Sequence, residues 1–272
     1  MRTIGHEIRV KALFASDFHL GTKGCQAELL LEFLRRYDAE VIYLIGDIVD
    51  GWRLKSSWYW PDSHSAVVQT LLKKAKNGTR LVYLPGNHDE FLRDFIGVKF
   101  DGVEIAEQII HETVDGRRLL VIHGDQFDVV VRHAKWLALL GDGAYQTALF
   151  FNRYVNLVRR RLGLTYWSLS SWAKLRVKNA VNFIGSFEEY LSSEAKRKGA
   201  CGVVCGHIHH PADHDLHGIR YLNAGDWVES CTGIVEHHDG RIELVRWTEV
   251  REEQASEQVV RLRPIRGRAA VA

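Results

Sequence analysis

Five segments of this sequence end in side chains that bind cations or move protons. "VKALFASDFHLG" closes on Asp17 and His19, "AEVIYLIGDIVDGW" on Asp47 and Asp50, and "TRLVYLPGNHDE" on Asn87, His88 and Asp89. "RRLLVIHGDQFD" closes on His123 and Asp125, and "ACGVVCGHIHHP" on His207, His209 and His210. If Asp17, His19, Asp47, Asn87, His123, His207 and His209 line one pocket, like charges in a dry site repel and raise each other's pKa. A cation resolves that conflict. Seven donors are too many for one tetrahedral ion and enough for two, given one bridging carboxylate and added waters. Mixed oxygen and imidazole donors suit manganese, iron or zinc, whereas calcium takes oxygens only. Asp17-x-His19 and His207-x-His209 place two donors on the same side of an extended chain, since alternate strand residues share a face.

The elements that must position these side chains are legible around them. Each of the five is a short β-branched and aliphatic run stopping at Gly or a polar pair, the mark of a strand buried on both faces. Between them, "CQAELLLEFLRRYD" has the apolar stripe Leu29, Leu30, Phe33 and Leu34, and "HSAVVQTLLKKAKNG" behaves alike before a C-terminal Gly78. Strand, helix, strand order predicts parallel crossovers and, taken alone, a doubly wound α/β sheet. Ligands in such sheets gather outside the carboxyl ends of the strands, where these clusters fall. "IRYLNAGDWVESCTGIVEHHDGRIELVRW" reads as consecutive strands completing a sheet, with a turn at Asp239-Gly240. After Thr248 the pattern dissolves, and residues 249–272 are expected to be a mobile basic tail ending in Arg261, Arg263, Arg266 and Arg268. Solvation is the default for such a tail, and attraction to an anionic membrane surface the sharper alternative.

At 272 residues and 46% hydrophobic content, the chain can bury one substantial core, so one domain over 1–248 is expected. The four cysteines form no C-x-x-C pair and "MRTIGHEIRVK" has no signal-peptide pattern, which fits reduced thiols in a cytoplasmic protein. A formal net charge of +2 selects no partner. Charge distribution says more. Residues 127–198 form an insertion the polar blocks do not need, helical in pattern and rich in Trp, Tyr and Phe. Phe127 to Tyr190 holds nine Lys or Arg against four Asp or Glu. Aromatic faces with basic flanks suit an acyl chain and anionic headgroups, although packing of a cap explains most of the aromatics as well. Its uncharged stretches fall short of the about 20 residues that span a bilayer. No basic stripe runs along the polar blocks, so no nucleic-acid partner is expected. His6, His64, His111, His133, His214, His217, His237 and His238 read as ordinary surface residues.

The ordered set D-x-H, GD-x-x-D, GNHD, HGD and GH-x-H, spread over roughly residues 15–226, resembles the calcineurin-like metallophosphoesterases. That resemblance implies a four-layer α-β-β-α sandwich in place of a doubly wound sheet. It implies that Asp17, His19, Asp47 and His209 hold one metal, and that Asp47, Asn87, His123 and His207 hold a second, with Asp47 bridging. His88 would then face the phosphate, oriented by Asp89. Asp50 and Asp125 match no ligand slot and are expected to fix turns or orient imidazoles. Two ions about 3.5–4 Å apart can clamp both ends of an in-line displacement at phosphorus. "GDIVDGW" with Trp52, "GNHDEFL" and a helical lid over 127–198 resemble more closely the UDP-2,3-diacylglucosamine hydrolases of lipid A biosynthesis. That group implies pyrophosphate cleavage of a lipid-linked nucleotide sugar to UMP and an acylated sugar phosphate. It also implies manganese, acyl chains under the lid, and work at the cytoplasmic face of the inner membrane. One residue departs: His88 stands where the best-known branch of that group has Arg. The alternative is a paralogous soluble phosphodiesterase or phosphomonoesterase acting on a nucleotide or another small phosphoester.

Overall fold

The computed structural model describes residues 7–127, 161–162 and 169–262. Two sheets stack face to face. The first has seven strands: β1 (Ile8–Ala15), β2 (Tyr37–Ile45), β3 (Arg80–Leu84), β4 (Lys99–Phe100), β5 (Val103–Ile105), β11 (Thr232–Glu236) and β12 (Ile242–Arg246), ordered β12-β11-β1-β2-β3-β5-β4. The second has five: β6 (Gln108–Glu112), β7 (Arg118–Ile122), β8 (Gly202–Cys205), β9 (Ala212–Leu216) and β10 (Ile219–Asn223), ordered β6-β7-β8-β10-β9. The crossovers expected from sequence are present, since β1, β2, β3 and β5 pair in parallel, as do β7, β8 and β10.

Period-2 alternation sends successive side chains into different cores, and that makes the layers. Ala12, Phe14, Tyr43, Ile45, Leu119 and Val121 meet between the sheets. Their neighbours Leu13, Ala15, Ile42 and Leu44 face a second core, built with α1 (Ala27–Arg36), α3 (Asp62–Lys76) and α5 (Trp247–Leu262). Leu120 and Ile122 face a third, against Phe187, Leu191 and Ala195 of α4 (Leu169–Arg197). The result is four layers, helices, sheet, sheet, helix, rather than a singly layered doubly wound sheet. A short α2 (Gly51–Ser56) follows β2.

The helices form for the reasons their sequences suggest. In α1, Leu30, Leu31, Phe33 and Leu34 are buried, with Arg35 and Arg36 in the last turn where they complement the helix dipole. Beyond α3, Gly78 takes a left-handed φ of +103°, the usual terminator.

Several expectations need correction. Residues Trp247–Leu262 form α5, so the segment from 249 begins as a helix packed through Trp247 rather than as an irregular tail. Residues 263–272 lie outside the described residues, as does most of the 127–198 insertion apart from Phe127, residues 161–162 and the segment from 169 onward. The C-terminal strands do not complete one sheet, because β10 belongs to the second and β11 and β12 to the first. His64 and His111 are buried rather than surface residues. His111 joins the sheets: Tyr43 Oη lies 2.9 Å from its Nδ1, and Glu236 Oε2 lies 2.6 Å from its Nε2. A polar group taken out of water needs such partners. Hydrophobic periodicity does not reveal them.

Candidate metal centre

All five polar blocks meet at one end of the sandwich, beyond the carboxyl ends of β1, β2, β3, β7 and β8. Asp17, His19 and His209 offer ligand atoms within 4.8 Å of one another; so do His19, Asp47 and His88, and Asp47, His123 and His207. These groups overlap at His19 and Asp47. His209 Nε2 lies 3.0 Å from Asp17 Oδ1 and 3.2 Å from His19 Nε2. Asp47 stands between two halves: Oδ1 is 3.6 Å from His123 Nε2, and Oδ2 is 4.0 Å from His19 Nε2.

The route by which paired donors reach this point differs from the expected one. Asp17, His19, His207 and His209 have φ between +50° and +71°, so neither D-x-H nor H-x-H is extended. Asp47 shares the left-handed conformation. Left-handed non-glycine residues cost about 1–3 kcal/mol each and cluster at functional sites. Backbone bonds hold them: Asp17 N donates to Gly46 O at 3.0 Å, His19 N to Asp47 O at 2.9 Å, and His207 N to Asp17 Oδ2 at 2.8 Å. Close approach also demands glycine at Gly86, where a Cβ would sit 2.3 Å from Asp47 Oδ1 and 2.6 Å from His123 Nε2.

The residues fit a cation on three observations. Asp47 Oδ2, Asn87 Oδ1 and His123 Nε2 are buried and make no hydrogen bond, which is costly unless a ligand takes their lone pairs. His123 Nδ1 lies 2.8 Å from Ile45 O; a carbonyl only accepts, so Nδ1 carries the proton and Nε2 presents its lone pair. The local field is negative as well. Burial opposes charging of His123, yet Asp47, Asp17 and Asp125 raise its pKa above the usual value. For Asp17, burial is likewise outweighed by the imidazoles of His209, His123 and His19, and its carboxyl falls below the ordinary range.

Asp50 orients imidazoles and fixes a turn as expected, and it also takes the part expected of Asp89. Asp50 Oδ2 lies 3.0 Å from His88 Nδ1 and 3.3 Å from His19 Nδ1, while its Oδ1 caps α2 through Arg53 N at 2.8 Å. Burial would raise its pKa, but these contacts hold the carboxyl low. With both Nδ1 atoms facing Asp50, the Nε2 atoms of His19 and His88 face the centre, and His88 Nε2 is 3.9 Å from Asp47 Oδ2. Asp89 does not orient His88. It is buried and accepts from Gly86 N at 2.6 Å, Ile48 N at 2.8 Å and Tyr83 Oη, tying the GNHD turn to the loop after β2. Asp125 orients no imidazole either; Arg93 Nη2 reaches both its oxygens at 2.8 and 2.7 Å. His210 is exposed. Residues missed in sequence lie in "LNAGDW": Asn223 Nδ2 donates to Gly206 O at 2.9 Å, and Trp227 N to Asp17 O at 3.0 Å, bracing both His-bearing turns. Their signal is a polar triplet at a strand end, the same one that marked the other blocks.

The family model for calcineurin-like phosphoesterases matches residues 10–211, a span that contains Asp17, His19, Asp47, Asn87, His123, His207 and His209. The chain belongs to that family. As a calcineurin-like phosphoesterase it is a hydrolase of phosphoesters that works with divalent metal ions. Among curated relatives, the UDP-2,3-diacylglucosamine hydrolase of Pseudomonas paraeruginosa is 27% identical over 229 residues, covering 80% of this chain and 91% of that protein. The Neisseria meningitidis serogroup B protein of the same name is 24% identical over 242 residues, covering 82% and 92%. A solved phosphoesterase from E. coli aligns with a TM-score of 0.41 and 16% identity over 86% of this chain and 98% of that one. Among the described residues, no helix is long and apolar enough to cross a membrane.

Proposed function

We propose that this phosphoesterase hydrolyses the pyrophosphate of a lipid-linked nucleotide sugar, UDP-2,3-diacylglucosamine or a close relative, to UMP and an acylated sugar phosphate. The observation that carries the chemistry is the trio of buried acceptors without hydrogen bonds, Asp47 Oδ2, Asn87 Oδ1 and His123 Nε2, at the convergence of five strand ends. In this reading Asp17, His19, Asp47 and His209 hold one ion and Asp47, Asn87, His123 and His207 the other. When bound, the ions would supply Lewis acidity at phosphorus and a nucleophile at neutral pH. Mixed oxygen and imidazole donors favour manganese, with iron or zinc as alternatives.

His88 acts on the substrate itself. Its Nδ1 faces the Asp50 carboxylate, and its Nε2 faces the centre beside Asp47. A proton held at Nε2 stabilises charge developing on the phosphate or passes to the leaving oxygen, and Asp50 compensates the imidazolium from behind. Trp52, half-exposed, lies 4.3 Å from the His88 ring centre to centre and forms a wall at the mouth of the site.

The substrate class rests on the names of the relatives over four-fifths of the chain. It also rests on the insertion, whose return helix α4 brings Phe187 within 6.1 Å of the His207 ring. An insertion that returns to the sandwich beside the centre suits a lid over acyl chains, and its basic aromatic character suits peripheral contact with an anionic cytoplasmic membrane face. The test is release of UMP from UDP-sugars of graded acyl length. Each enclosed methylene contributes about 0.8 kcal/mol, so removing three carbons from each chain should lower kcat/KM by more than 100-fold. Unchanged kcat/KM across acyl lengths, with turnover of small nucleotide phosphodiesters, would favour the paralogous phosphodiesterase instead.

A further inference from the structure

The loop after β1 carries Asp17 and His19, and most of it is held by the loop after β2 and by its own turn. Leu20 N donates to Ile48 O at 2.9 Å and Asp50 N donates back to Leu20 O at 2.8 Å. The His19 carbonyl accepts from Thr22 N at 3.1 Å and from Thr22 Oγ1 at 2.9 Å. One amide is held from elsewhere: Gly21 N lies 3.0 Å from Nδ1 of His64, in α3. A backbone N–H only donates, so His64 Nδ1 presents a lone pair and the ring is neutral with its proton on Nε2.

The surroundings enforce that form. His64 is 2% exposed, and burial holds its pKa below the usual value. Trp60 and Tyr59 stand edge-on to it, with ring centres 5.5 and 5.8 Å away, and Trp60 is itself fixed by a 3.0 Å bond from Nε1 to Ser65 Oγ. On the other side, Gly21 has a φ of +106°, and a Cβ there would lie 2.8 Å from Leu54 Cγ, so the loop is pressed against α2 as it meets His64. A left-handed His19 persists only where its neighbours over-determine it. The His64 bond, two residues on, is one of those constraints.

We propose that His64 is a positioning residue for the His19 half of the centre, acting through the Gly21 amide; the inference rests on the two-metal reading above. Its consequence is asymmetric. Losing the acceptor should loosen the Asp17, His19, Asp47 and His209 half and spare the ion held by Asp47, Asn87, His123 and His207.

The test is metal titration of the full chain with manganese, read as two separate affinities. His64→Phe fills the space without an acceptor, and His64→Asn places an amide oxygen near the Nδ1 position. The expected result is one ion bound as in wild type and one bound about 10–100-fold more weakly in His64→Phe, the usual loss when a ligand's support is removed, with recovery in His64→Asn. Unchanged affinities in His64→Phe, or equal weakening of both ions without recovery in His64→Asn, would overturn the proposal. If His64→Phe fails to fold, ¹⁵N NMR of the wild type decides: a protonated Nδ1 refutes it, and a Gly21 amide coupled to an unprotonated Nδ1 supports it. Wild type that binds fewer than two ions would instead refute the two-metal reading, a result distinct from two ions with an unaffected variant.

Discussion

Asp50→Asn separates orientation from packing at this centre. The amide is nearly isosteric, and with its oxygen toward Arg53 N it keeps the cap on α2, since Asn and Asp cap about equally well. Its NH2 then points at His19 Nδ1, hydrogen-bonded to the carboxylate at 3.3 Å, and at His88 Nδ1, ion-paired with it at 3.0 Å. Two donors cannot face each other. The His19 ring is driven to the tautomer with its proton on Nε2, the atom that should ligate, and the His88 ring loses the carboxylate that compensates its imidazolium. Each lost bond to an ionised group is worth about 1.5–3 kcal/mol. Wrong-tautomer histidine in a Ser-His-Asp triad lowers turnover about 10⁴-fold. We therefore expect a 10²–10⁴-fold fall in turnover of a chromogenic phosphodiester and weaker metal binding at the His19 half by about 10–100-fold. The melting temperature should stay near wild type because the cap survives. Wild-type turnover with both ions in place would refute the tautomer argument, and a collapse in melting temperature would show that Asp50 acts mainly through the fold.

Other perturbations follow from the same geometry. Asp47→Ala should release both ions together, because one carboxylate serves both halves; metal analysis with full occupancy would contradict the bridge. His88→Ala should keep both ions and lower turnover by roughly 10²–10⁴-fold, while loss of metal would make His88 a ligand. Gly86→Ala puts a methyl 2.3 Å from Asp47 Oδ1, so metal content should fall while circular dichroism stays native; normal metal content would mean the turn can yield. His64 also sets a pH dependence. Burial lowers its folded pKa, so the unfolded chain takes up the proton first as pH falls. Its contribution is complete above about pH 6.5 and is lost as pH drops from there toward the folded value. His64→Asn should flatten the decline of melting temperature across that window, and an unaltered slope would argue against a neutral buried ring.

The sequence carried the strands and the donors better than it carried the support. Two-sided burial of β1, β2, β3, β7 and β8 makes continuous apolar runs whose polar ends stand out, so the donors could be picked before any contact was known. The D-x-H and H-x-H donors do not converge along an extended chain, however. Those motifs converge through left-handed turns, a conformation that residue type does not announce outside glycine and asparagine. That Asp50 rather than Asp89 orients His88 is set by tertiary contacts, which residue order does not show. Buried His64 and His111 were invisible for a related reason: each is paid no attention by periodicity and is held by partners distant in sequence, Gly21 and Glu236. The four layers follow from the family resemblance and not from the strand pattern alone, which does not tell how β10 and β11 divide between sheets.

The most direct measurement is anomalous diffraction from crystals of the wild-type chain grown with manganese. The account expects two peaks, one among Asp17, His19 and His209 and one among Asn87, His123 and His207, with Asp47 bound to both. A single peak, or two peaks of which Asp47 touches only one, would contradict it.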